Sequence, residues 1–362
     1  MKASRARASL AGLYALALVC ACAHAGPPVP QQRHLEITEP LVITAGPPAQ
    51  VALGDQDDAT LFDGGSRAFA AGQFADAALR FDRLVDSFPL SPQRLPALYN
   101  AALAHERLEH WDEALKRYTA SIALNDEPDA QFHAALVEYK LGKLEPAAAR
   151  LAKLAERPGL PKPRKVEALV QEGVCKVEGK ARGEGERLLR AALELVDDDT
   201  DPALAAQAEF WIGDIYRSYF QEAALDPASM DEAKLGDAIE NKAQFLLSAQ
   251  GHYLRAIRRG DGEWATAAGF RIGELYEQFH DQLVAAPLPR GLDAEQGKVY
   301  RAELHKKVRV LIGKAIRIYE QTLSTAQRVG AQNPYVARTG QALERLRKLL
   351  LDAPAPPTSG TN

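Results

Sequence analysis

Residues 72–81 read GQFADAALRF, a stretch with no useful reactivity and an unusual distribution of sizes. Ala77 and Ala78 come one helical turn before the bulky Phe81, so a small and a large side chain share one face of a helix. The arrangement returns as Ala114 with Tyr118 and as Ala147 with Leu151, at offsets of 37 and 33 residues. Pro89 and Pro158 follow the first and third copies. Ahead of each copy lies a second stretch of helical period, LFDGGSRAFAAGQF (61–74), ALYNAALAHERLEHW (97–111) and QFHAALVEYKLGKL (131–144). Each unit therefore reads as one helical hairpin, and the period reads as a repeat architecture.

On these residues the chain resembles the tetratricopeptide repeat (TPR) family, whose units of about 34 residues carry a small residue, an aromatic four later and a helix-ending Pro. The resemblance implies an all-α, right-handed α-solenoid. It also implies that the alanines mark close approach of two helices and that Phe74 and Phe81, like Trp111 and Tyr118, wedge between successive hairpins. A fourth, degenerate hairpin is expected from about Val166 to Leu195, with Glu184 standing where the small residue should be.

The second half carries another repeat. AQAEFWIGDIYRSYF (206–220) and ATAAGFRIGELYEQF (265–279) align at an offset of 60, pairing Ala208 with Ala268, Phe210 with Phe270, Ile212 with Ile272, Gly213 with Gly273 and Tyr216 with Tyr276. Each is followed by a long polar connection and then by a small-to-aromatic pair, Ala249 with Tyr253 and Ala315 with Tyr319. Two enlarged TPR-like hairpins are predicted. The helix YVARTGQALERLRKLLL (335–351), apolar on one face and basic on the other, is predicted to cap the stack.

The ends read differently. Lys2, Arg5 and Arg7 precede an apolar run from Leu10 to Ala21, the layout of a secretory signal and too short to span a bilayer. LVCA before Cys22 resembles a bacterial lipobox, while AHA ending at Ala25 offers a second cleavage site. On the lipobox reading Cys22 is lipidated, and the resemblance to bacterial lipoproteins implies a periplasmic protein anchored to the outer membrane. Loss of Lys2, Arg5 and Arg7 takes the formal charge from −4 to −7. Cys175 is then the lone other thiol beyond the signal, so the fold rests on packing rather than on an internal disulfide.

The expected organisation is a signal peptide (1–21), a Pro-rich flexible stalk (22–57), three TPR hairpins (58–160), a degenerate hairpin (161–200), two enlarged hairpins with the cap (201–352) and a disordered tail (353–362). Within the stalk, HLEITEPLVIT (34–44) reads as extended linker, with strand addition to a partner as the other reading.

Chemistry is sparse. VDDDTDPALAA (196–206) fails as a calcium loop, because Pro202 and Ala208 hold the places of Gly and Glu; it reads instead as a helix start with Asp201 as N-cap and Pro202 in the first turn. His105 and His110 are five apart, off the spacing of metal ligands on one helix face, and Cys175 has no neighbouring His or Cys. No GxSxG, HExxH or Walker loop occurs. With 44 Lys and Arg against 48 Asp and Glu, no excess of positive charge points to nucleic acid. The chain is expected to be non-catalytic, with no cofactor or metal.

A surface for protein partners remains. In TPR proteins the first helices of successive hairpins line a concave groove, and the corresponding residues here are Phe62, Phe69, Tyr99, Asn100, Leu103, Phe132 and Tyr139. The chaperone-type clamp for a C-terminal carboxylate is not reproduced, since Tyr99 and Leu103 occupy two of its places. The expected function is a scaffold that assembles other envelope proteins, similar to TPR lipoproteins of motility and pilus machines; the alternative is a regulator or cofactor of a cell-wall enzyme.

Overall fold

A computed structural model describes residues 56–352 apart from 199, 228 and 290. The lipidation site Cys22, the signal, nearly all of the stalk and the tail lie outside these residues. Thirteen helices follow one another: α1 (Asp58–Ala70), α2 (Phe74–Ser87), α3 (Arg94–Arg107), α4 (Trp111–Leu124), α5 (Pro128–Lys140), α6 (Leu144–Ala155), α7 (Lys162–Glu178), α8 (Arg182–Leu195), α9 (Pro202–Glu222), α10 (Glu232–Arg258), α11 (Gly262–Ala285), α12 (Ala294–Val329) and α13 (Pro334–Asp352). They pack serially, each hairpin on the next, as the tetratricopeptide pattern implies.

The first four hairpins turn at equivalent residues in the left-handed backbone region. Gly72 and Gly142 both have φ of 73° there, while Glu109 and Lys180 take the same role at 58° and 68°. Later helices start on side-chain caps: Asp201 accepts from the Ala203 N–H at 2.9 Å, Asp261 from that of Trp264 at 2.8 Å, and Asp293 forms a capping box with Gln296. These carboxylates satisfy orphan N–H groups and face the positive helix end.

Inside each hairpin a small residue of the first helix lies under the large one of the second. A Cβ on Gly65 would stand 2.8 Å from the Phe81 ring, and one on Gly213 would stand 2.7 Å from Tyr253; Gly273 faces Tyr319 in the same way. Ala102 and Ala135, both fully buried, share core clusters with Tyr118 and Leu151. The large side chain thus seals its own hairpin first, a correction to its expected place between hairpins. Tyr118 does both, since its ring also stacks on His133 of the next unit at 5.7 Å.

The fourth hairpin obeys the rule with Gly173 of α7 under Leu189 of α8, where an added Cβ would stand 2.8 Å from the side chain, but the small residue of α8 comes one place later than the sequence suggests. Gly185, not Glu184, is buried, and a Cβ there would meet Val177 at 2.6 Å and the Gly173 carbonyl at 2.9 Å. Glu184 points outward, 3.6 Å from Lys176.

The enlarged hairpins also depart from expectation. Their polar insertions are mostly helical, leaving loops of residues 223–231 and 286–293 and lengthening α10 to 27 and α12 to 36 residues. Lys242, 1 % exposed, seats α10 on the end of α9: its Nζ donates to the carbonyls of Phe220 and Ala223 and lies 4.4 Å over the Phe220 ring. A cation at the negative end of a helix satisfies carbonyls that would otherwise be orphaned. Burial lowers its pKa from the usual lysine value. Polar clamps also join units, as Arg117 on α4 donates to both oxygens of Asp86 on α2 at 2.9 and 3.2 Å.

Candidate partner-binding groove

First helices of successive hairpins share one wall. Leu136, Tyr139 and Lys140 on α5, Gln171 and Val174 on α7, Gln207 and Trp211 on α9, and Trp264 on α11 surround a cavity of roughly 300 Å³. Glu106 at the end of α3 and Trp111 at the start of α4 complete its rim. All three tryptophans of the chain therefore stand around one cavity. Each is partly buried, with its body packed against a core cluster. That combination gives a large, rigid, amphipathic contact face, the kind that dominates interfaces.

Packing fixes the rings. Trp264 follows the Asp261 cap by three residues, and its ring lies 5.1 Å from Phe210, which also meets Trp211 edge-on at 6.2 Å. The Nε1 of Trp211 is buried without an acceptor. An unpaired buried donor of this kind costs about 1 to 3 kcal/mol.

The polar rim is structural. Burial works to raise the Glu106 carboxyl, but His133, 3.2 Å away, and the Tyr118 hydroxyl, donating at 2.7 Å, overcome it and leave its pKa below the usual value. Burial, followed by the charge and hydrogen bond of Glu178, raises the Tyr139 phenol. With Glu106 already engaged, the remaining polar groups of the wall are the Gln171 and Gln207 amides, Lys140, the Tyr139 phenol and the tryptophan N–H groups.

Of the seven residues expected from the sequence, the cavity wall includes Tyr139 and not the other six. Phe62 packs edge-on against Phe81 at 5.7 Å, and Phe69 against Phe74 at 5.2 Å. Tyr99 lies edge-on to Tyr118 at 5.8 Å, with its phenol pushed up to about 12 by burial and by Asp129. Leu103 joins the same cluster, and Asn100 is half-buried beside them. Phe132 lies under the Arg164 guanidinium at 4.8 Å.

Sequence reasoning missed Trp211 and Trp264 and assigned Trp111 to packing alone. A signal was available: at the offset of 60, Trp211 aligns with Arg271 and Trp264 with Leu204, so each departs from its own repeat. A large aromatic that the repeat does not require is a candidate for work outside it.

No family model matches the sequence, and no curated protein matches it. Solved structures do. A tetratricopeptide repeat protein from Parabacteroides merdae is 14% identical, with 80% of this chain and 98% of that one covered and a TM-score of 0.41. YrrB, described as a TPR protein with an unusual peptide-binding site, is 18% identical over 56% of this chain and 91% of its own, with a TM-score of 0.40. The pilF protein of Pseudomonas aeruginosa is 13% identical over 68% and 97%, with a TM-score of 0.41. The first two of these are named as tetratricopeptide repeat proteins.

Proposed function

We propose that this chain is a non-catalytic scaffold that captures a segment of a partner protein in the groove around Trp111, Trp211 and Trp264. The observation that carries the reading is the convergence of all three tryptophans, from helices far apart in sequence, on one cavity. A volume of roughly 300 Å³ accepts one or two apolar or aromatic side chains of an extended segment rather than a folded domain.

In the fuller form of this proposal, Cys22 is acylated, the protein faces the periplasm from the outer membrane, and its partners belong to an envelope assembly of the motility or pilus kind. A pull-down from solubilised envelopes, run with wild type and with Trp211→Ala, tests it. Several structural envelope proteins should be recovered by wild type and lost from the variant. Recovery of a single cell-wall enzyme would favour a regulator, and equal recovery by both proteins would remove the groove from the reading. Absence of labelled palmitate from wild type, with a mature N-terminus at Gly26, would remove the lipid anchor.

A further inference from the structure

Between Lys298 and Arg317, helix α12 carries seven of the chain's 44 Lys and Arg residues and one of its 48 acids, Glu303, with His305 among them. Lys298 pairs with Glu295 at 2.8 Å, and Lys314 lies 5.2 Å from the centre of the Tyr276 ring. Among the described residues no carboxylate forms an ion pair with Arg301, Lys306, Lys307, Arg309 or Arg317. All five are exposed.

The helix is two-sided here. Val308, Ile312, Ala315 and Tyr319 are buried. The opposite face presents Val299, Lys306, Val310 and Arg317, at steps of seven, four and seven residues that keep them in one stripe. Val299 is 63 % and Val310 56 % exposed. Among the described residues no other helix covers these valines, and Glu303, three and four residues before Lys306 and Lys307, is the one carboxylate on this face and forms no ion pair with them. Seven cations along about 30 Å of helix, in a chain that is acidic as a whole, make a localised positive field rather than a solubilising mixture of charges.

We infer that this face of α12 rests on an anionic phospholipid bilayer, its cations at the headgroups and Val299 and Val310 at the upper acyl boundary. The valines decide between occupants. A nucleic acid would use the cations and leave both valines in water, and an acidic protein segment would need matching apolar side chains to cover them, whereas a bilayer takes up cations and small apolar side chains from one exposed helix face. No helix among the described residues is long and apolar enough to cross a membrane, so the contact is peripheral. The inference stands apart from the partner groove, which uses none of these residues, and from the acylation of Cys22.

Every core cluster described above closes within residues 61–346, so the chain from residue 22 onward, carrying Cys22→Ser, serves as the test protein. Co-sedimentation is measured with vesicles of phosphatidylcholine mixed with phosphatidylglycerol and with vesicles of phosphatidylcholine alone. Binding to the mixed vesicles, and not to the neutral ones, is expected. Lys306→Ser/Lys307→Ser/Arg309→Ser should weaken it roughly a hundredfold, about fivefold for each cation, with helicity unchanged. A control that removes exposed Arg107, Lys116 and Lys153 should bind as wild type does. Val299→Ser/Val310→Ser should weaken binding by about tenfold. Failure of wild type to bind, equal binding to neutral vesicles, or equal loss in the control would overturn the inference. Unchanged binding of the valine variant would overturn it too, leaving a purely electrostatic partner.

Discussion

The ring of Tyr253 packs against Gly213, so close that a methyl group there would stand 2.7 Å from it, and the Tyr253 hydroxyl donates to Asp214 at 2.5 Å. One glycine thus sets the distance between α9 and α10 and the position of a buried hydroxyl. Gly213→Ala should cost about 1 to 3 kcal/mol through overpacking. Gly236 on α10, with nothing within 4 Å of an added Cβ, is the matched control, and Gly236→Ala should gain about 0.5 to 1 kcal/mol. Denaturant titration of the two variants reads both signs, and a loss at both positions would contradict the packing.

The four equivalent hairpin turns offer a second test. A left-handed backbone costs a residue with a side chain about 1 to 2 kcal/mol, and Glu109 and Lys180 bear that cost where Gly72 and Gly142 avoid it. Glu109→Gly and Lys180→Gly should each stabilise by about 0.5 to 1 kcal/mol after the greater freedom of glycine in the unfolded chain is allowed for. Gly142→Ala should destabilise by about 1 kcal/mol. Thermal unfolding followed by circular dichroism measures all three.

A pH dependence follows from Glu172. It is 8 % exposed on α7, and burial pushes its pKa from 4.5 up to about 7, against the opposing charges of Lys176 and Arg187 and with the help of Glu156 and Glu184. Between those two values the folded chain binds the extra proton, so this group's contribution falls as pH rises from about 4.5 through 7. Glu172→Gln should match wild type near pH 4.5 and exceed it at pH 8 by an amount on the order of 3 kcal/mol. Unfolding curves at the two pH values decide it; a constant difference would mean that the carboxyl is not desolvated.

The groove makes a prediction with two readouts. Trp211→Ala and Trp264→Ala should each cost about 2 kcal/mol or more of affinity for a captured segment, as truncated interface aromatics do. Trp111→Phe, which keeps an aromatic body, should cost less. Tryptophan emission should shift to shorter wavelength when the segment binds, because all three emitters stand at the cavity. Binding that leaves emission unchanged would place the partner surface elsewhere.

The sequence made the hairpins visible because tight helix contact demands small residues at fixed spacing from a large one, one turn before it on the same helix at Ala77, Ala114 and Ala147 and facing it from the partner helix at Gly213 and Gly273. It misled at Glu184, since Gly185 answers the same demand one residue later and no pattern of polarity separates the two. It was also silent about which aromatics meet in the groove. Tyr99 and Phe132 share the helical period of Tyr139, yet neighbouring side chains, Tyr118 and Arg164, cover them. Such coverage comes from other helices, α4 over Tyr99 and α7 over Phe132, and a periodicity confined to one helix carries no trace of it.

The principal contacts between helices join elements no more than two places apart along the chain. Contact order is therefore low, and loops need close over a few tens of residues only, which favours rapid folding. A chain emerging N-terminus first from a ribosome or a translocation channel can complete α1 with α2 before α3 has appeared, and so on to α13. The order of the sequence is also a workable order of assembly, and a stall midway leaves behind finished hairpins with one open end rather than an unformed core.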